Sequence, residues 1–240
     1  MPNRAALVTG ASRGIGRAIA ETLAAEGYAV TVSARKPEPL ERMANELRQN
    51  GHDVESVAGN LADEDSIREI VRRHRERFGR LDVLVNNAGV GIGAAAGEHL
   101  TKFVDMQLDV NLRSIILFYR ECAELLKQAG AEHRRALVVN MSSIAGKKPQ
   151  PWLSVYAATK AAVVAYTLAM NGELGGDGIK SVAFCPAWVD TDMTDFIKEH
   201  VPPEEMIKTS DIAEAVRFLL RVSPACVVPE IAFVRPGDGL

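Results

Sequence analysis

Seven short apolar runs alternate with six longer amphipathic stretches along this 240-residue chain, and few folds accept that pattern. The runs cover 5–9, 29–33, 54–58, 81–86, 136–140, 180–184 and 231–234. The stretches cover 15–26, 40–49, 63–78, 110–128, 155–174 and 211–221. The runs are rich in Val, Ile and Leu, as strands covered on both faces are. Helices that cross over between such strands make the sheet parallel, and right-handed crossovers wind it outward in two directions. The expected architecture is therefore α/β and doubly wound: a mostly parallel, seven-stranded sheet flanked by helices, in one domain over 1–240. Glycines punctuate it at Gly27, Gly51 and Gly175-Gly176. Asp63-Glu64-Asp65 suits the first turn of a helix, where the backbone dipole favours negative charge. The charged segment from Lys127 to Arg135 reads as a surface connection. Ligands of such a fold sit at the carboxyl ends of the strands.

Bulk composition removes several function classes. The chain carries 28 basic and 31 acidic residues, a formal charge of -3, so no basic excess points to nucleic acid or an anionic membrane. Apolar runs are broken by Gly, Asn or charge before spanning length, and the chain runs at once into Arg4-Ala5-Ala6-Leu7-Val8-Thr9, leaving no room for a signal peptide. Cys122, Cys185 and Cys226 have no close spacing and read as reduced thiols of a cytoplasmic protein. The five histidines are scattered, so no metal site is expected.

The first strand leads into Thr9-Gly10-Ala11-Ser12-Arg13-Gly14-Ile15-Gly16. Gly10 permits a tight turn, Gly14 lets backbone approach a pyrophosphate, and Gly16 lets helix and strand pack closely. Free N–H groups at the helix start then face the phosphates, as in a Rossmann dinucleotide fold. No Gly-Lys-Ser/Thr follows, which argues against a mononucleotide P-loop. The second strand ends Ser33-Ala34-Arg35, with no acidic residue from Thr31 to Arg35 to meet a free ribose hydroxyl. Arg35, with Arg13, could instead clasp a 2′-phosphate, so the expected cofactor is NADP(H).

Ser143, Tyr156 and Lys160 supply chemistry for that cofactor. Tyr156 and Lys160 are four residues apart on one helix face. A free phenol, with a pKa of about 10, is a poor base at neutral pH, and a nearby ammonium favours its ionised form. Ser143 follows the fifth strand and could donate to a substrate oxygen held against Tyr156; Ser142 is the less favoured neighbour. Together these residues predict hydride transfer between a nicotinamide and a ketone or secondary alcohol. A non-catalytic redox sensor would explain the glycine turn but would not need the trio.

In this order the motifs resemble the short-chain dehydrogenase/reductase family over almost the whole chain. The resemblance implies further roles. Asn86-Asn87-Ala88-Gly89 matches the segment that steadies the sheet and flanks the adenosine, so Asn87, Ala88 and Gly89 join the expected cofactor contacts. Asn111 matches the helix asparagine that holds a water in the proton relay to Lys160. Pro186, Ala187, Val189 and Thr191 fall in the segment that cradles the nicotinamide carboxamide. Asn60 and Leu61 stand beside the adenine, Asn60 where the family commonly has Asp. The similarity extends to NADP-dependent reductases of ketones and 3-oxoacyl thioesters, and implies pairing of the long helices into a homodimer.

Three departures qualify that picture. Ala187 replaces a glycine and needs a backbone angle alanine can adopt. The substrate lid, about 191–210, is short; Trp188, Met193, Phe196, Ile197 and Met206 are expected near its active face, suggesting an apolar or acyl-like substrate, while His200 reads as a surface residue. Gly91–Gly97 should line one wall of the pocket. The chain ends without the family's usual Gly-Gly, which leaves a homotetramer open. Runs such as Ser114–Phe118 and Ala161–Ala165 are too continuously apolar for helices with one wet face.

Overall fold

The computed structural model describes residues 4–238. Seven parallel strands form one sheet: β1 (Ala5–Thr9), β2 (Ala29–Ala34), β3 (Val54–Ala58), β4 (Val83–Asn86), β5 (Ala136–Met141), β6 (Ile179–Pro186) and β7 (Glu230–Phe233). Their order is β3-β2-β1-β4-β5-β6-β7, so the chain reverses direction across the sheet between β1 and β4. That reversal opens a crevice beyond their carboxyl ends.

Helices cover both faces. On one lie α1 (Gly14–Ala25), α2 (Pro37–Gln49) and α7 (Thr209–Arg221), burying Ile19, Leu23, Leu40, Met43 and Val216 against β1, β2 and β6. On the other lie α3 (Glu64–Phe78), α5 (Ser114–His133) and α6 (Ser154–Leu174), burying Ile67, Ile70, Phe118, Leu126 and Val163. Strand side chains alternate between these two cores: Ala6 and Val8 enter the first, Leu7 the second. Asp63 caps α3 by accepting from the Ser66 N–H at 3.0 Å. His74 sits fully buried between the Thr31 hydroxyl and the Arg80 carbonyl, and burial pulls its pKa down to about 4.

The fourth of the expected helical stretches departs from expectation at both ends. A separate helix, α4 (Thr101–Leu108), precedes it and joins it through a π turn at Asp109–Arg113. The inserted residue of the π turn shifts the apolar phase, so one 3.6-residue period does not run through the whole segment. At the other end α5 continues to His133 and stops where Arg134 takes a left-handed conformation, φ 54°. Lys127–His133 is thus helix, not connection. Ala129 and Gly130 bury against the turn after α6, while Lys127, Gln128 and Glu132 face outward.

α6 corrects a second expectation. Pro151–Asp177 is long and apolar enough to cross a membrane, with mean hydropathy 1.3 in its most apolar window. Its polar groups are nonetheless wired into the sheet. Thr167 receives a hydrogen bond from Asn140 at 3.0 Å, and Lys160 donates to the Met141 carbonyl at 2.7 Å. Of the apolar run on α5, Ile115, Leu117 and Phe118 are covered within the subunit; only Ile116 stands out.

Candidate active site

A cleft of about 1120 Å³ opens at the carboxyl ends of the strands. It exceeds the roughly 300–1,000 Å³ usual for one small ligand and so has room for two. Every sequence-predicted site residue except Gly16 and Asn111 lines it. Gly16 packs behind: a Cβ there would lie 2.4 Å from the Gly10 carbonyl oxygen and from the Asn87 amide nitrogen.

The glycine turn is shaped by backbone. Gly10 and Gly14 take φ +63° and +58°, which side-chain-bearing residues rarely adopt. No side chain caps the start of α1, so its first N–H groups stay open to an anion. The Asn86–Gly89 segment is stitched to this turn. Thr9 Oγ1 accepts from the Asn87 and Ala88 N–H groups at 3.0 and 3.1 Å, and Asn87 Nδ2 donates to the Thr9 and Gly10 carbonyls at 3.0 and 3.2 Å. Arg35 is exposed on the rim and Arg13 donates to Asp192 of the lid at 2.5 Å. This donor set fits a dinucleotide: bare backbone for the diphosphate, and two guanidinium groups within the cleft. Asn60 bends its own loop, accepting from the Ala62 N–H at 3.3 Å, and Leu61 is buried beside it.

At the other end stand Ser143, Tyr156 and Lys160. Ser143 follows β5 with its backbone extended; its hydroxyl accepts from the Ala145 N–H at 3.1 Å and donates to the Pro186 carbonyl at 3.4 Å, close enough to the Tyr156 phenol to act on its ionisation. Burial raises the pKa of Tyr156 above 10, and the Ser143 hydroxyl opposes that rise. Burial lowers the pKa of Lys160 to about 8. Its ammonium lies 5.6 Å from the Tyr156 ring centroid and is held by the Met141 carbonyl. Ser142 faces away, donating to the Lys160 carbonyl at 2.7 Å.

Asn111 is fully buried in the π turn. Its amide accepts from Val90 N–H at 2.8 Å and donates to the Val90 carbonyl at 2.8 Å and to Thr159 at 3.1 Å. The side chain therefore clamps the loop after β4 onto α6. Ala187 keeps a negative φ and donates to the Phe233 carbonyl at 2.9 Å, so the exchange for glycine is accommodated. Val189 is buried, bridged to Ile207, while Thr191 caps the short helical turn Asp192–Ile197.

Of the lid residues, Trp188, Met193 and Phe196 reach the cleft. Met206 is buried beneath the lid, and neither Ile197 nor the exposed His200 lines the cleft. The sequence reading missed Trp152, which joins the cleft wall. Its position four residues before Tyr156, one helical turn away, was the available signal.

Known proteins resemble this chain in sequence and fold. The short chain dehydrogenase family model matches residues 4–202. The 3-oxoacyl-(acyl-carrier-protein) reductase FabG of Staphylococcus aureus is 34% identical over 225 residues, covering 90% of each chain. Among solved structures, a variant of the actinorhodin polyketide ketoreductase with NADPH is 31% identical, with TM-score 0.86 over 96% of this chain and 95% of that one. The 3-ketoacyl-(acyl-carrier-protein) reductase of Brucella melitensis, complexed with NADH, is 30% identical, with TM-score 0.87 over 98% and 97%. With the glycine turn, the Asn86–Gly89 segment and the Ser143, Tyr156 and Lys160 cluster all in one cleft, the chain belongs to the short-chain dehydrogenase family.

Proposed function

We propose that this protein is an NADP(H)-dependent oxidoreductase that interconverts ketones and secondary alcohols, the class that includes 3-oxoacyl thioesters. The observation that carries the reading is the meeting of Ser143, Tyr156 and the buried Lys160 at one end of a cleft whose other end is a bare glycine turn. When bound, the reduced nicotinamide supplies the hydride.

The side chains handle the oxygen and the proton. Tyr156, held protonated by burial, donates to the carbonyl oxygen, and Ser143 polarises that oxygen. Lys160, with its pKa near 8, returns a proton to Tyr156 at low cost and holds the nicotinamide ribose. Asn111 fixes the π turn, and a water on that turn's backbone would complete the relay. Gly10, Ser12, Gly14 and Ile15 bind the diphosphate. Arg13 and Arg35 receive the 2′-phosphate. Asn60, Leu61, Asn87, Ala88 and Gly89 hold the adenosine side, and Pro186, Ala187, Val189 and Thr191 the carboxamide.

We read the chain as one catalytic domain with its lid at 191–210, working in the cytoplasm as a homodimer. Ala161, Ala165 and the half-exposed Leu168 leave an apolar strip of α6 open, beside exposed Ile116 of α5. Helices packed across a two-fold axis would bury it on both copies. The α7 and β7 side, where Phe218 is also exposed, leaves a tetramer open.

The test is substrate-dependent oxidation of NADPH by the purified protein over ketones, acyl thioesters and, in reverse, secondary alcohols. Turnover with NADPH preferred over NADH is expected. Absence of turnover across all three classes would refute the reading.

A further inference from the structure

Aromatic residues make up only 5% of this chain, yet both of its tryptophans stand in the cleft. Trp152, Trp188 and Phe196 meet there edge to face. Ring centroids are 5.9 Å apart in both pairs, with interplanar angles of 89° and 79°. Trp152 has a built seat: a Cβ on Gly93 would lie 2.1 Å from its ring, and the Ala94 N–H donates to its carbonyl at 2.9 Å. The Trp188 carbonyl accepts from Ile207 N–H at 3.0 Å, fixing the base of the lid. Rings packed only for stability would be covered. Instead Trp152 is 44% and Phe196 57% exposed. Their open faces offer offset and edge-to-face contacts to another ring.

The charge around this wall points the same way. Residues 190–205 hold six carboxylates and one lysine. The cations on this side are engaged, Lys198 with Asp190 and Asp195, Lys208 with Asp190, Lys147 with Glu230, and Arg13 with Asp192, while Lys102 of α4, also on the cleft wall, lies over the Phe103 ring. Lys148 faces Asp238. A substrate arm carrying phosphate would meet lid carboxylates.

Resting on the carbonyl-reductase reading above, we propose that the substrate is a free, uncharged ketone bearing a planar aromatic ring, not a thioester on a phosphate-bearing carrier. The reaction is the one already given: the ketone carbon gains a hydride from the reduced cofactor and its oxygen gains a proton from Tyr156.

The test compares 2-tetralone with 2-decalone under NADPH. They share a bicyclic skeleton, and neither carbonyl is conjugated with a ring, so their intrinsic reactivities are similar. In the wild-type enzyme kcat/KM should favour 2-tetralone by about tenfold, the order expected of one or two ring contacts. In Trp152→Leu and, separately, Phe196→Leu that ratio should fall towards one. A general loss of activity cancels in the ratio. Acetoacetyl-coenzyme A should be about tenfold poorer than 2-tetralone. A wild-type ratio near one, a ratio unmoved in both variants, or preference for the coenzyme A thioester would overturn the proposal and leave the carbonyl-reductase reading standing. No turnover of any of the three by protein that still binds NADPH would overturn both.

Discussion

The two ends of the cleft are built from different materials. The glycine turn and the Asn86–Gly89 segment contact each other through backbone groups and two short side chains, Thr9 and Asn87. The substrate end is built from large side chains on loops, Trp152, Trp188 and Phe196, braced by ion pairs at Asp190 and Asp195. Backbone cannot vary much without losing the fold, so it suits a ligand that stays the same. Side chains on loops can vary while the sheet stays intact, so they suit a ligand that differs from one enzyme to another. Tyr156 stands between the two ends.

The largest effect should come from separating chemistry from both. Tyr156→Phe removes the transferable proton and leaves the ring packing in place. Turnover should fall about 10²–10⁴-fold, with NADPH affinity and fold retained. Steady-state rates and cofactor titration in parallel measure this, and an active variant would break the division of labour.

Next comes the cofactor end, where Arg35 is one of the few side chains assigned a binding role. Arg35→Ala should weaken NADPH by the roughly 1.5–3 kcal/mol of a charge-assisted bond, while NADH changes little. Equal losses for both nucleotides, read by titration, would show that Arg35 serves the structure and not the 2′-phosphate.

The smallest effect tests whether the two ends communicate. Arg13 of the turn is paired with Asp192 of the lid, both well exposed. Exposed pairs are worth ~0–1 kcal/mol. Asp192→Asn should release Arg13 towards the 2′-phosphate and tighten NADPH by no more than about fivefold, with NADH unaffected. Weaker NADPH binding would mean that Asp192 positions Arg13 instead of competing for it.

The same division explains what could be read from the amino-acid order. Gly10, Gly14 and Gly16 lie within one turn, and Ser143, Tyr156 and Lys160 within one loop and helix; short spacing leaves little freedom, and the structure brings them to one cleft. Most strands were legible as short runs rich in Val, Leu and Ala; β3, Val54–Ala58, carries Glu55 and Ser56 at its centre and was marked by its place between two helical stretches. Trp152 was signalled only by its place one turn before Tyr156; its seat is Gly93, far away in the chain, and only the fold joins those two. α4 was hidden by the π turn, which breaks the apolar period ahead of Asn111. The end of α5 was hidden by its charges, which sit on the wet face of a helix whose other face holds Ala129 and Gly130. Met206 and Ile197 carry the same apolar character as Phe196, and nothing local tells which of them the lid turns inward.

Having both tryptophans at the substrate end gives the molecule a built-in optical reporter. Tryptophan dominates the ultraviolet emission of a protein, and here that emission arises wholly from Trp152 and Trp188 on the cleft wall. A ring that settles against them changes the polarity around both indoles, and a reduced nicotinamide in the same cleft is close enough to accept their excitation. Ligand entry at this site therefore writes itself into the fluorescence of the unlabelled wild-type chain, with no background from indoles elsewhere.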